Sequence, residues 1–341
     1  MKILLVHSGN AVGGDSSKYT FVREQGEALR ALGNEVEYYA VVGKGARGYL
    51  RNVKPLREKI ASFTPDIIHA HYGLSGMVAV LASHKKVPVV ITCHNGETLT
   101  KYGNIISSFA TSKAAHTIYV EQHIRDLSYY KAKNYSIIPC GVPMEEMTIT
   151  PYAEARKQLG WSDDKKYILF GGSFSNERKN YAILRDAVER LKAEKFAICN
   201  HKSSIAFSDI ECIEMRGFSR AECVLRMCAC DLFALPSHSE GSPQALKEAM
   251  AVNTPSLATD IADVRVLFGS EPGHFILRNP NKTNVRWDAD ANSLDDMVSL
   301  LKQALAFSGR THGRARILAL QLSNEQVAKR LIKIYNSILN K

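Results

Sequence analysis

The chain has 341 residues, 45% of them hydrophobic and 23% charged, and a formal net charge of +10. That length supports roughly two domains with a core each, and the composition is that of a globular protein rather than a disordered or fibrous one. The opening "MKILLVHSGN" has only four consecutive apolar residues. That is too short for a signal-peptide core, no stretch approaches a membrane span, and a cytoplasmic location is expected.

In chain order, "KILLV" reads as a buried strand and "GNAVGG" as a glycine-rich turn. A helix through "YTFVREQGEALRALG" closes at Gly33, a good C-cap. "EVEYYAVV", "PDIIHAH", "VPVVITCH" and "AHTIYV" are predicted strands with helical stretches between them, and "YSIIPCGV" closes the series. Such alternation implies a parallel sheet with helices on both faces. After a break near 144–151 the pattern resumes with "KKYILFGG" and a helix through "NYAILRDAVERLKAE". "KFAICN", "DLFALP", "PSLAT" and "GHFILR" follow as strands, then an amphipathic helix, "SLDDMVSLLKQALAF". A last helix, "SNEQVAKRLIKIYNSILN", is expected to start at Ser323 with Glu325 as its imperfect capping-box partner. The expected organisation is α/β, with two doubly wound domains over 1–148 and 149–322. Ligands then belong at the carboxyl ends of the strands.

The positive charge is spread over both halves but crowds in "GKGARGYLRNVKPLREK", where Lys44, Arg47, Arg51, Lys54, Arg57 and Lys59 surround one acid, Glu58. Tyr49, Leu50, Val53 and Leu56 interleave at near-helical spacing. Two readings stand side by side: a solvated helix face, or a surface over 44–59 that meets an anionic membrane. No nucleic-acid module accompanies the segment, so no nucleic-acid partner is expected. The seven cysteines are an odd number at irregular spacing. Cys223, Cys228 and Cys230 cluster on a predicted helix without zinc spacing and read as small buried hydrophobes in a reducing compartment.

The most informative stretch is "LPSHSEGSPQALKEAMAVNTPSLATD", residues 235–260. Pro236 ends an apolar run. Ser242 is expected to cap a helix with Pro243 at its first position, where the missing N–H costs nothing. Leu246, Ala249 and Met250 form an inward face, and Pro255 restarts the chain as a strand. Packing does not explain Glu240, in the loop before the helix, or Glu248, in its second turn. Loop N–H groups and the helix's positive end suit a phosphate, while flanking carboxylates suit hydroxyls; together they describe a sugar-nucleotide site.

Glu240 and Glu248 in "EGSPQALKE", followed by "AMAVNTPSLATD", resemble the E-x7-E segment of retaining glycosyltransferases of family 4, which have the GT-B fold. Gly241, the run Ala249, Met250, Ala251, and the pairs Thr254-Pro255 and Thr259-Asp260 stand in register with it. The resemblance implies two doubly wound Rossmann-like domains facing a central cleft, with residues 323–341 crossing back onto the first. It implies that Glu248 hydrogen-bonds the donor ribose and Glu240 the donor sugar. After Asp260, "IADVRVLFG" resembles a G-D-V subgroup with Ala262 replacing glycine, a subgroup that includes polysaccharide-building enzymes of bacterial cell surfaces.

Other candidates take their places on that frame. In "GGSFSNERKN", Gly171 and Gly172 let backbone approach a ligand, and Arg178 and Lys179 offer charge to a diphosphate. Lys179 falls where the family holds the diphosphate. Many relatives also have an arginine straight after the strand glycine, where this chain has Ser173, so either Arg178 substitutes or one cation is missing. His94, ending "VPVVITCH" before Asn95 and Gly96, resembles the histidine of the family's T-x-H-G loop, which contacts sugar or acceptor. His71 shares a strand face with His69 and stands between acceptor contact and a buried structural role. Gly13 and Gly14 are either plain loop glycines or the family's glycine pair beside the donor phosphate. "IPCGVP" resembles the family's interdomain hinge, with Cys140 where asparagine is commoner, and "MRGFSRAE" a strand-turn near the nucleotide base. Asp288 and Asp290 in "WDADAN" mimic a metal-binding D-x-D, but no apolar strand feeds them, and an acidic cluster at a helix start accounts for them. Neither a catalytic metal nor a cofactor is expected.

The expected function is transfer of a sugar from a UDP- or GDP-sugar donor to a hydroxyl of a glycan or lipid-linked acceptor. Catalytic roles fall to His94, Glu240 and Lys179. Donor contacts fall to Gly14, Gly172, Arg178, Lys179, Glu240, Gly241, Ser242, Pro243 and Glu248, and acceptor contacts to His71 and Asn95. No side chain is an obvious nucleophile, in line with the front-face mechanism that the family implies. The alternatives are a GT-B nucleotide-sugar epimerase, or a catalytically silent sugar-nucleotide-binding partner of a membrane assembly.

Overall fold

A computed structural model of the protein describes residues 1–9, 20–198 and 209–340. Gly13 and Gly14 lie outside them. The chain forms two units, Met1–Gly141 with Leu322–Lys341, and Val142–Gln321. The expected boundary at 148/149 lies a few residues beyond the observed division.

The first unit alternates as its hydrophobic pattern predicts: β1 (Lys2–Ser8), α1 (Thr20–Ala31), β2 (Glu35–Val41), α2 (Gly45–Leu50), α3 (Val53–Phe63), β3 (Ile67–His71), α4 (Gly73–Ser83), β4 (Val89–Cys93), α5 (Lys101–Lys113), β5 (His116–Tyr119), α6 (Gln122–Leu127) and β6 (Tyr135–Ile137). The strands form one sheet in the order β2-β1-β3-β4-β5-β6. Lys2 stands opposite Glu35 and Ile3 opposite Ile67, in parallel register. Successive side chains of β1 leave opposite faces of the sheet. Leu4 and Val6 meet Leu56 of α3 and Val78 and Ala79 of α4. Ile3 and Leu5 meet Val22 and Leu29 of α1. Each such fully buried valine, leucine or isoleucine side chain contributes about 1.5–3 kcal/mol.

The basic segment 44–59 divides between core and solvent. Tyr49, Val53 and Leu56 pack into the first of these clusters, while Leu50 stays exposed. The Lys59 ammonium pairs with Glu37, and Arg57 donates to the carbonyl of Leu81. The apolar side of α3 is therefore used inward, as in a solvated surface helix.

The second unit comprises α7 (Tyr152–Leu159), β7 (Lys166–Phe170), α8 (Tyr181–Ile198), β8 (Ile210–Glu214), α9 (Arg220–Ala229), β9 (Leu232–Leu235), α10 (Gln244–Ala251), β10 (Ser256–Thr259), α11 (Val264–Phe268), β11 (His274–Leu277), α12 (Ser293–Ala306) and α13 (Gly313–Ala319). Its parallel sheet has the order β11-β10-β9-β7-β8. Leu246, Ala249 and Met250 are fully buried, and Cys228 and Cys230 are buried free thiols. The expected strand "KFAICN" is corrected: α8 continues through Ile198, so the run begins inside a helix, and the edge strand is "IECIE" instead.

The last helix, α14 (Asn324–Leu339), belongs to the first unit. Val327, Leu331 and Tyr335 lie in the same cluster as Ile3 and Leu5. Ser323 caps it as expected, but the box partner is Gln326. Glu325, one residue off the required register, pairs with Lys329 instead.

Candidate functional site

In the second unit, the expected donor residues converge at strand ends. β7 delivers Gly171 and Gly172, followed by a 3-10 turn at Glu177–Lys179 capped by Asn176. β9 delivers the loop that carries Glu240. Lys179 Nζ donates to Glu240 Oε1 at 2.8 Å, and Arg178 lies 3.1 Å from Glu240 Oε2. Arg178 also donates to the carbonyl of Ser239 at 2.6 Å. Burial works to raise the Glu240 pKa, but Lys179 and Arg178 outweigh it and hold the carboxyl below its usual value. The cluster is thus an ionised carboxylate beneath two cations, with a net charge of +1. Gly172 is essential to its geometry: a Cβ there would stand 2.8 Å from Cγ of Lys179.

Helix α10 begins one residue later than expected. Pro243 is its N-cap, with no side-chain cap hydrogen bond. Ser242 is corrected from capping residue to tether: its hydroxyl donates to Asp263 Oδ2 at 2.7 Å. Gly241 is partly exposed between Glu240 and Ser242. Glu248 does not join the Lys179 cluster. Its Oε1 accepts from Arg220 at 2.8 Å, and Arg220 also reaches Glu146 at 3.1 Å. Burial raises the Glu248 pKa and prevails over the lowering pull of Arg220. Sequence reasoning placed "MRGFSRAE", which contains Arg220, near the nucleotide base but gave the Arg220 side chain no role. The signal for that side chain is the "SRAE" capping box, in which Ser219 and Glu222 start α9 and set Arg220 at the first turn. Asp288 and Asp290 are engaged by Arg286 and Arg278, and Asp290 also accepts from Ser293 beside α12.

In the first unit, β3 and β4 bring three histidines together. His94 follows β4 and starts a 3-10 turn, Asn95–Glu97, through a reciprocal box. Its N–H donates to Glu97 Oε1 at 2.9 Å, as does that of Gly73 at 3.3 Å. The His94 ring packs on Tyr72 and Phe21, with centroids 4.4 and 5.0 Å away. His94 Nε2 lies 3.3 Å from Nδ1 of His71, whose Nε2 is 3.3 Å from Gln25. His71 is fully buried, and burial with its neighbouring histidines drives its pKa well below the ordinary value. This favours the structural side of its two readings. His69, lowered to about 3 by burial, meets Tyr335 of α14 and Thr92. Asn95 Oδ1 lies 3.3 Å from His123 Nε2, and the other ring nitrogen of His123 pairs with Glu121. Gly14 lies outside the described residues.

Comparison with known proteins adds to this geometry. Residues 20–146 match Glycosyltransferase Family 4, and residues 165–285 match Glycosyl transferases group 1. TuaC of Bacillus subtilis, named as a teichuronic acid biosynthesis glycosyltransferase, is 26% identical over 234 residues, covering 63% of this chain and 58% of that protein. The chain spans less than two thirds of that relative's length. Sucrose-phosphate synthase from Thermosynechococcus elongatus superposes with a TM-score of 0.75 at 17% identity, covering 99% of both chains. Anabaena HepE in complex with UDP gives 0.68 at 16% identity, over 99% of this chain and 100% of that one. At such identities the likeness is one of fold. The chain thus has Glycosyltransferase Family 4 sequence in its first unit and Glycosyl transferases group 1 sequence in its second, each on a parallel α/β sheet, in a fold it shares with the superposed structures.

Proposed function

We propose that the protein is a retaining glycosyltransferase (EC 2.4). It moves a sugar from a nucleoside diphosphate, UDP or GDP, to a hydroxyl of a glycan or lipid-linked acceptor in cell-surface polysaccharide synthesis. The observation that carries the proposal is the pairing of Lys179 and Arg178 over Glu240 at the strand ends beside α10. Breaking a glycosidic bond to a diphosphate gathers negative charge on the leaving oxygens. Two fixed cations in a partly buried setting stabilise that charge without reorganising at the moment of reaction. Glu240 then serves twice, orienting the cations and accepting from hydroxyls of the donor sugar. Glu248, steadied by Arg220, takes the ribose hydroxyls. As the glycosidic bond breaks, the acceptor oxygen bonds to the anomeric carbon from the same face, and its proton passes to the departing phosphate. His94 holds the sugar or acceptor. HepE was solved with UDP and with UDP-glucose, and TuaC is named for teichuronic acid biosynthesis; both lie in line with this reading.

Thermal-shift screening against UDP, GDP and ADP and their sugar conjugates, with and without chelator, tests the donor site. A chelator-insensitive rise with one base, lost in Glu248→Ala, supports it, and turnover of the matching sugar conjugate separates an enzyme from a silent binder. No shift with any of these nucleotides would refute the donor assignment.

A further inference from the structure

Helix α5 is built inside out. The residues it buries are Asn104, Ser107, Ala110 and Thr111, small or polar throughout. Most of its large apolar residues point the other way: Tyr102, Ile105 and Phe109, at i, i+3 and i+7, are 82%, 48% and 42% exposed, while Ile106 is half-buried. An ordinary surface helix turns such a stripe inward. The loop after α6 extends the face. The backbone N–H of Tyr129 donates to Asn104 Oδ1 at 2.8 Å, and that of Tyr130 to Ser108 Oγ at 3.0 Å. Those bonds set two more exposed tyrosines beside the helix.

The charge around this face is predominantly positive, with the exposed Asp126 of α6 as an acid just before Tyr129. Residues 98–120 contain Lys101 and Lys113 and no carboxylate, and residues 127–144 contain Lys131 and Lys133 and none either. Lys85 lines the same surface hollow as Phe109 and Lys113. A contiguous exposed aromatic patch with a cationic rim is unlike ordinary monomer surface. A second copy docked through the same patch about a twofold axis would set lysines against lysines.

We propose that the outer face of α5, together with Tyr129 and Tyr130, is a docking surface for an anionic lipid bilayer. The tyrosine and phenylalanine rings enter the headgroup boundary, and the lysines reach along it to the phosphates. This surface differs from residues 44–59, whose apolar residues are mostly spent in the core. It goes beyond sugar transfer and stands or falls without it, because docking is read with neither donor nor acceptor present.

The test is co-flotation of the full chain with vesicles of phosphatidylcholine alone or mixed with phosphatidylglycerol. Binding is expected to the mixed vesicles, to be weak on phosphatidylcholine, and to fall with salt. Tyr102→Ser with Ile105→Ser should reduce partitioning at least about tenfold. Lys101→Glu and Lys113→Glu should each reduce it at least about fivefold. Arg51→Glu with Lys54→Glu should cost less than either of these lysine changes. Unchanged thermal unfolding of the variants certifies their fold. No binding of the parent protein to anionic vesicles overturns the proposal, as does binding that the α5 substitutions leave intact. So does concentration-dependent dimerisation that those substitutions abolish, since it gives the face to a second copy.

Discussion

Gly172→Ala puts the geometry of the proposed donor site under direct strain. The added methyl would stand 2.8 Å from Cγ and 3.3 Å from Cδ of Lys179. Comfortable carbon contacts begin at about 3.5 Å, so the lysine stem must retreat by roughly 0.7 Å. That stem ends in the ammonium resting 2.8 Å from Glu240. Misplacing a catalytic group by about an ångström costs up to about a hundredfold in rate, so a fall in kcat of about tenfold to a hundredfold is expected, with a smaller change in donor KM. Lys179→Ala should cost about a hundredfold or more. In the double variant the atoms that the methyl meets are gone. The alanine at 172 should then cost almost nothing further, giving a coupling of about 1.4–2.7 kcal/mol. Initial rates of sugar transfer for the four proteins, with the donor found by thermal shift, measure it. Equal costs of Gly172→Ala in both backgrounds would refute the argument, as would no cost in the parent protein.

Three further outcomes are expected. Burial pushes the carboxyl of Glu97 up to about 8, against the lowering effect of the N–H groups of His94 and Gly73. The folded state then holds a proton that the unfolded state releases, so stability should decline as pH rises from about 4.5 to about 8, by roughly 1.4 kcal/mol per unit at its steepest. Urea unfolding of Glu97→Gln should lack that slope, and parallel curves would show that Glu97 is not the group responsible. Arg220→Met should weaken donor binding about tenfold by calorimetry, because Glu248 loses its partner in a setting where burial already favours protonation. The loss should deepen as pH falls, and Arg220→Lys should recover part of it; undiminished affinity would show that Glu248, in its proposed ribose role, has no need of Arg220. Tyr335→Phe should lower stability by about 1–2 kcal/mol through the lost bond to His69, with nucleotide shifts unaltered. An unchanged denaturation midpoint would show that this hydrogen bond adds nothing.

What could be read in advance followed from local rules. The strands around Ile3 to Val6 and Leu232 to Leu235 announce themselves as buried apolar runs between turns. The segment from Glu240 to Glu248 shows its loop and helix in proline, glycine and helical spacing. Where the reading failed, a local signal was ambiguous or a distant partner decided. The apolar letters of "KFAICN" fit a strand or the end of a helix, and the helical period of α8 carried on into them. "IECIE" is an edge strand whose exposed Glu211 and half-buried Glu214 hide its character, since an edge is partly wet. Ser242 turned from capping to Asp263 because a residue twenty-one positions away supplied a carboxylate. Arg220 reaches Glu248 across twenty-eight positions, and no spacing rule spans that gap.

Because α14 belongs with the strands at the start of the chain, the second unit is an insertion into the first. Two crossings join them, at Gly141–Val142 and at Gln321–Leu322. A ribosome therefore delivers every strand of the first sheet, and α1 with them, long before the helix that completes the cluster around Ile3 and Leu5 exists. Until Tyr335 emerges, that apolar surface has to wait, while the inserted unit can fold from a continuous stretch already made. The order of completion is thus the reverse of the order of synthesis, and an incomplete nascent chain would show chaperones the half-covered cluster around Ile3 and Leu5.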